Sequence, residues 1–133
     1  MTSKQLANLY ELNRETRLDE ERIEDIRKKM YRVSSPNLSG LPGCRDTDRV
    51  ERLMDEIKDI EVIIAKRIAD NIDEIKKLES YINKIENCYL RQLFKLHYAM
   101  GYSWNQVAYK IGGTTSDSVR VACHRYIKSS SNT

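Results

Sequence analysis

Glycine and proline are scarce in this chain of 133 residues, which holds five glycines and two prolines. So few turn formers leave little punctuation for a many-stranded fold, and long helices fit the composition better. Long apolar runs are missing as well. The longest unbroken stretch, Val62 to Ala65, is too short for a membrane-spanning helix or the core of a signal peptide. We therefore expect a cytoplasmic protein with no membrane partner. Cysteine occurs three times, at Cys44, Cys88 and Cys123. An odd count with no close pair argues against a disulfide framework or a zinc knuckle. Paired carboxylates, a catalytic triad and a metal-ligand set are not visible either. The expectation is no enzymatic activity, no catalytic residue, no cofactor and no metal.

Charge is plentiful but unevenly spread. Residues 1–80 hold 16 Lys and Arg against 18 Asp and Glu, whereas residues 81–133 hold 7 against 2. The first part is dense in both signs, like a solvated helix surface. The second is modestly basic and contains most of the aromatic residues. That division suggests an assembly region, 1–85, followed by a region, 86–133, that meets something anionic.

Hydrophobic spacing predicts where the helices fall. Ser3 is a candidate N-cap for a first helix over 3–33, with Leu6, Leu9 and Tyr10 on one face and Ile23, Ile26, Met30 and Val33 repeating further on. Its middle, Asn13 to Glu21, is weakly apolar, so this helix needs a partner. Its acid-rich run reads as a solvated face with ion pairs such as Glu24 with Lys28. Residues 34–47 hold both prolines and two of the glycines and read as the one clear loop. Asp48, with Glu51 three residues on, then reads as the start of a capping box. A long helix over 48–85 follows, its stripe running from Val50 through Ile57, Ile64 and Ile72 to Ile85, with a slip near Ile64 to Ile72. One helix of that length spans roughly 57 Å at 1.5 Å per residue. The first helix covers only part of it, so the expectation is an antiparallel, coiled-coil-like hairpin whose remaining seam is buried by a second copy.

From residue 86 the texture changes. Asn87 caps a helix ending at Gly101, Ser103 caps a short one ending at Gly112-Gly113, and Thr114, Thr115 and Ser116 offer caps for a last helix over 116–129, with a frayed SSSNT tail. Trp104 and Tyr98 read as core. Two short helices joined by a glycine turn suggest a helix-turn-helix, with Ala108 where the helices cross, Gly112 at the turn, and Val119 and Ala122 facing inward. Rotation of 100° per residue then places Asp117, Val121, His124 and Lys128 outward, flanked by Ser118, Arg120 and Arg125. Such a face suits the major groove: arginine matches guanine, Asp117 accepts from cytosine N4, and Val121 meets a thymine methyl. The Gly113, Thr114 and Thr115 segment before the helix could offer amides to a backbone phosphate. Cys123 and His124 point about 100° apart, and Cys88 and His97 fall on different faces; a core cysteine and a surface histidine are the expected outcome.

The segments YLRQLFKLHYAMGYSWNQVAYKIG and SDSVRVACHRYIK resemble region 4 of the sigma-70-type factors. Together with the SGLPG loop and the long charged helices, they are similar to small phage or prophage regulators of the RinA/ArpU-like kind. The resemblance implies an all-α protein in which a long helical region precedes a region-4-like helix-turn-helix. It also implies sequence-specific double-stranded DNA as partner, in the cytoplasm of a bacterial host, with host RNA polymerase as a further candidate. Carried over by position, Ser116, Asp117, Arg120 and Val121 fall where that family contacts promoter bases. The family commonly has longer side chains than Ser116 and Val121 there. The chain has no room for the sigma regions that melt DNA, so a complete sigma factor is not expected. Two other readings stand beside this one: a phage terminase small subunit that binds packaging-site DNA, and a helical scaffold or adaptor without nucleic acid.

Overall fold

The computed structural model describes the backbone of residues 1–33 and 44–131, with side chains for 1–32 and 48–130. Every regular element among the described residues is helical. The order is α1 (Ser3–Val33), α2 (Cys44–Asp70), α3 (Ile72–Asn83), α4 (Cys88–Phe94), which runs on as a π-helical turn (Lys95–Ala99), α5 (Trp104–Ile111) and α6 (Ser116–Ser131). No helix among them is long and apolar enough to cross a membrane. Most of the expected loop over 34–47 lies outside the described residues.

Local chemistry sets most helix ends. At the start of α1 the cap is Thr2 rather than Ser3: the Gln5 amide donates to Thr2 Oγ1 at 3.2 Å and the Thr2 amide donates to Gln5 Oε1 at 3.0 Å. This reciprocal pair needs Gln three residues after the cap, and only Thr2 has that spacing. Asn87 caps α4 by accepting from the amides of Tyr89 and Leu90. Ser103 and Gln106 form a full capping box on α5. Asp48 does not cap α2, because nothing between Cys44 and Thr47 forbids helix and α2 already begins at Cys44. The tail frays less than expected, since Ser129 and Ser130 lie within α6, and Ser130 Oγ meets Tyr81 Oη at 3.1 Å.

The expected helix over 48–85 is interrupted at Asn71, whose φ of −118° and ψ of 15° leave the helical basin. Two causes coincide there. Asparagine competes with the helix for its own backbone. Three successive four-residue steps from Ile60 to Ile72 would also carry the stripe roughly 120° around a straight helix. The break ends that drift, and α3 starts a new stripe with Leu78 and Ile82 buried.

The chain divides into two compact units, Met1–Arg17 with Asn71–Thr133, and Leu18–Asp70. The second is held by Ile23 and Ile26 of α1 against Ile57 and Ile60 of α2, with Met30, Leu53 and Ile64 packed around them. Asp19 meets Arg67 at 2.8 Å, and Arg27 meets Glu61 at 3.7 Å. The partner numbers fall on α2 as they rise on α1. Glu24 pairs with Arg27 at 2.8 Å, one residue nearer than the expected Lys28.

The first unit has a separate core in which Leu6 and Leu9 of α1 are buried with Leu78, Leu93, Phe94, Val107 and Val119. Each fully buried side chain of this kind contributes about 1.5–3 kcal/mol. The boundary drawn in the sequence between 85 and 86 follows texture, and it separates residues that share this core. Arg91 ties the turn between α3 and α4 by donating to the Ile85 carbonyl at 2.8 Å.

The weakly apolar middle of α1 does its work with polar groups. Asn13 donates to the Tyr98 carbonyl at 2.7 Å and Arg17 Nε donates to the Met100 carbonyl at 2.6 Å. Carbonyls at the end of a helix lack intrahelical donors, and these two side chains supply them. The approach is close because Gly101 stands opposite: a Cβ there would lie 2.6 Å from the Arg14 amide nitrogen and 2.7 Å from its Cα. Gly101 also has φ +75°. Gly101→Ala should therefore lower unfolding free energy by about 2–4 kcal/mol, from left-handed strain plus the displaced helix. Urea denaturation measures this; a loss near zero would mean that α1 does not seat on this turn in solution.

Candidate nucleic-acid interface

The candidate interface is built on α5 and α6, and both depend on what lies beneath them. α5 buries Val107 and Ala108. It ends where the Gly112 amide donates to the Ala108 carbonyl at 2.9 Å. Gly112 and Gly113 both have positive φ, +80° and +68°. A Cβ at either would meet nothing within 4 Å, so glycine is required for conformation rather than space. Of the three candidate caps, Thr115 holds the start of α6, its Oγ1 accepting from the Ser118 amide at 3.1 Å. Val119, Cys123 and Ile127 are buried, with Ala122 and Tyr126 packed at the margin. Burial pushes the Cys123 thiol up to about 12, so it behaves as a small apolar side chain.

The structure brings the sequence-chosen residues onto one surface, with differences in depth. Asp117, Ser118, His124, Arg125 and Lys128 are exposed; Ser116, Arg120 and Val121 are half-buried. Arg120 reaches back one turn to Asp117 at 3.6 Å. This pair lies on the surface, so it contributes little and opens at small cost. Before the helix, Gly113 and Thr115 are exposed and Thr114 is half-buried. Cys123 and His124 face apart as expected, buried and exposed. Cys88 and His97 reverse the expectation: Cys88 is exposed and His97 is only 4% exposed.

His97 is the feature that sequence reasoning missed. Its ring lies between Trp104, with centroids 3.5 Å apart and planes 10° apart, and Tyr10, at 4.0 Å and 13°. Nδ1–H donates to the Tyr102 carbonyl at 2.8 Å, which fixes the neutral tautomer. The π-helical turn accounts for its position. Its Met100 amide donates to Lys95, five residues back, and the widened turn lets His97 and Tyr98 both face the core. Tyr10 comes from the other end of the chain, so no local pattern signals the sandwich. Nearby, the Arg17 guanidinium lies 3.6 Å over the Tyr102 ring.

A cleft of about 510 Å³ opens between this ring stack and α6, with Tyr10, His97 and Trp104 on one side and Asp117, Arg120 and His124 on the other. Among the described residues no group of three His, Cys, Asp or Glu could hold a metal ion. Compared with protein-family models, curated proteins and solved structures, the chain matches none.

Burial holds the His97 imidazole down to about 4, against an ordinary 6.5. The unfolded chain therefore takes up a proton near pH 6.5 that the folded protein refuses until near pH 4. Stability from this group is complete above pH 6.5 and is lost as pH falls through that window. The thermal midpoint should decline between pH 6.5 and pH 4, and His97→Phe should flatten that part of the profile while lowering its plateau. An unchanged slope in His97→Phe would show that the ring is not buried neutral.

Proposed function

We propose that the protein is a sequence-specific DNA-binding transcriptional regulator of a phage or prophage, acting in the cytoplasm of a bacterial host. In this reading α5 and α6 are a helix-turn-helix of the sigma-70 region-4 type, and α6 is the recognition helix that enters the major groove. The observation that carries it is the surface of α6. One face is sealed into the core by Val119 and Cys123, and the other presents Asp117, Arg120, His124, Arg125 and Lys128. The capped helix start and the double-glycine turn support the same reading, because a recognition helix needs its first turns exposed and rigidly aimed.

Roles follow from position along α6. Arg120 and Asp117 lie near the helix start and reach base edges, arginine toward guanine O6 and N7, and Asp117 toward cytosine N4. Val121 offers the apolar contact to a thymine methyl, and Ser116 and Ser118 supply short hydroxyls. His124 lies between Arg120 and Lys128 on the same side. Arg125 and Lys128 lie toward the C-terminal end, where the phosphate backbone leaves the groove. Main-chain N–H groups of Gly113, Thr114 and Thr115 meet a phosphate at the helix start. The long helices serve assembly: the isoleucine seam of α2 exceeds its cover by α1, and a second copy makes a homodimer. Host RNA polymerase is the further partner that the sigma-like resemblance implies.

Arg120→Ala should cost about 1–3 kcal/mol on the preferred duplex and relax preference at one base pair. Lys128→Ala should weaken all duplexes alike and reduce the salt slope by about one. Val119→Asp, which places a carboxylate in the core, should unfold the motif instead. Binding isotherms on preferred and scrambled duplexes at two salt concentrations test this. Equal losses on both duplexes for Arg120→Ala would remove its base-reading role, and no binding of any duplex would remove the function.

A further inference from the structure

The unit Leu18–Asp70 carries a face that the DNA reading does not use. Along α1 the charge changes sign once: Leu18–Ile26 holds five carboxylates and one arginine, and Arg27–Val33 holds four cations and no carboxylate. On α2 both signs are interleaved from Leu53 to Asp70, so the polarity is set by α1. Glu20, Glu24, Arg27 and Tyr31 fall on one stripe of α1, and Met54, Glu61, Ala65 and Ile68 on one stripe of α2.

These two stripes flank a groove of about 540 Å³, floored by Ile23, Ile64, Ala65 and Ile68 and rimmed by Glu20, Glu24 and Glu61, with Arg27 at one end. Three large apolar side chains on this side are open to solvent: Ile68 at 41%, Met54 at 43% and Tyr31 at 79%. Aromatic residues and methionine are the usual anchors of a protein interface. Here they lie at the opposite end of the stripes from the acidic-rimmed groove.

We propose that this face is the two-fold interface between two copies of the chain, with Tyr31 and Met54 of each copy seated on the Ile64–Ile68 groove of the other. A two-fold axis sets the same patch against itself with its direction reversed. A stripe that is acidic at one end and basic at the other is therefore its own complement: Glu20 and Glu24 of one copy meet Arg27 and Lys28 of the other. A parallel arrangement would set like charge against like, so the charges fix orientation and the apolar groups supply affinity. This inference deepens the homodimer part of the proposed function and is independent of whether α6 reads DNA.

Sedimentation equilibrium with charge-swapped full-length chains tests it. Wild type should run at twice 15.6 kDa. Glu20→Lys/Glu24→Lys and Arg27→Glu/Lys28→Glu should each run as monomers with helical circular dichroism retained, because all four positions are exposed and the surface pairs of Arg27 with Glu24 and Glu61 contribute little to the fold. An equimolar mixture of the two variants should return to the dimer mass, since one stripe is then wholly cationic and the other wholly anionic. Tyr31→Ser, which changes no charge, should weaken dimerisation at least tenfold. A monomeric wild type at high micromolar concentration, a dimer that survives in either charge variant, a mixture that stays monomeric, or a Tyr31→Ser chain that dimerises like wild type would each overturn the proposal. Duplex binding is measured separately: its loss with the dimer intact would strike the DNA reading and leave this interface standing.

Discussion

Three stacked rings hold the unit of Met1–Arg17 with Asn71–Thr133 together. Tyr10 from α1, His97 from the π-helical turn and Trp104 from α5 lie nearly parallel, and His97 is fixed further by its bond to the Tyr102 carbonyl. A histidine tolerates such burial only when it is neutral and its N–H is matched. Both conditions are met, and the low proton affinity of the ring is the cost of the arrangement. Around the stack, Gly101 lets α1 approach backbone to backbone, and Asn13 and Arg17 satisfy the carbonyls that the π turn leaves open. α5 starts directly from this platform, and α6 packs on α5.

The consequence for α6 is a division of labour along one helix. Val119 and Cys123 anchor it, so its opposite side is free to be polar and cationic without a stability penalty. Arg120 lies at the border, half-buried beside the aromatic cleft and paired with Asp117. On the proposed reading, that pairing keeps the guanidinium near the helix start before DNA arrives, and because a surface ion pair contributes little, releasing Asp117 takes little from the guanine contact that replaces it.

What could be read from the sequence was what depends on near neighbours. The Asn87 and Ser103 caps, the Gly101 and Gly112 stops, the inward Val119 and the core Cys123 follow from residue type and period alone, while Ala122, also expected inward, packs at the margin, and α1 came out with its full extent. Errors arose where two local signals competed or where distance mattered. Thr2 displaced Ser3 because Gln5 completes its capping box. Asp48, a good cap in isolation, lost to an unbroken helix from Cys44. The slip at Ile64 to Ile72 was visible, but its outcome, a break at Asn71, required the packing on either side of it. His97 read as an outward residue because one of its two ring partners, Tyr10, comes from α1, and the other, Trp104, meets it only through the π-helical turn that an α-helical rotation does not anticipate. For the α6 surface, rotation by 100° per residue placed most side chains correctly and overestimated the exposure of Val121, which is half-buried.

The central claim is that α6 reads duplex DNA, and selection from a random pool tests it most directly. Purified full-length protein is incubated at moderate salt with random duplexes, and the bound fraction is sequenced over several rounds. The account predicts enrichment of one short motif containing a guanine whose identity relaxes when Arg120 is replaced by alanine. A pool that emerges unenriched, with no salt-sensitive retention of duplex at any round, would contradict it.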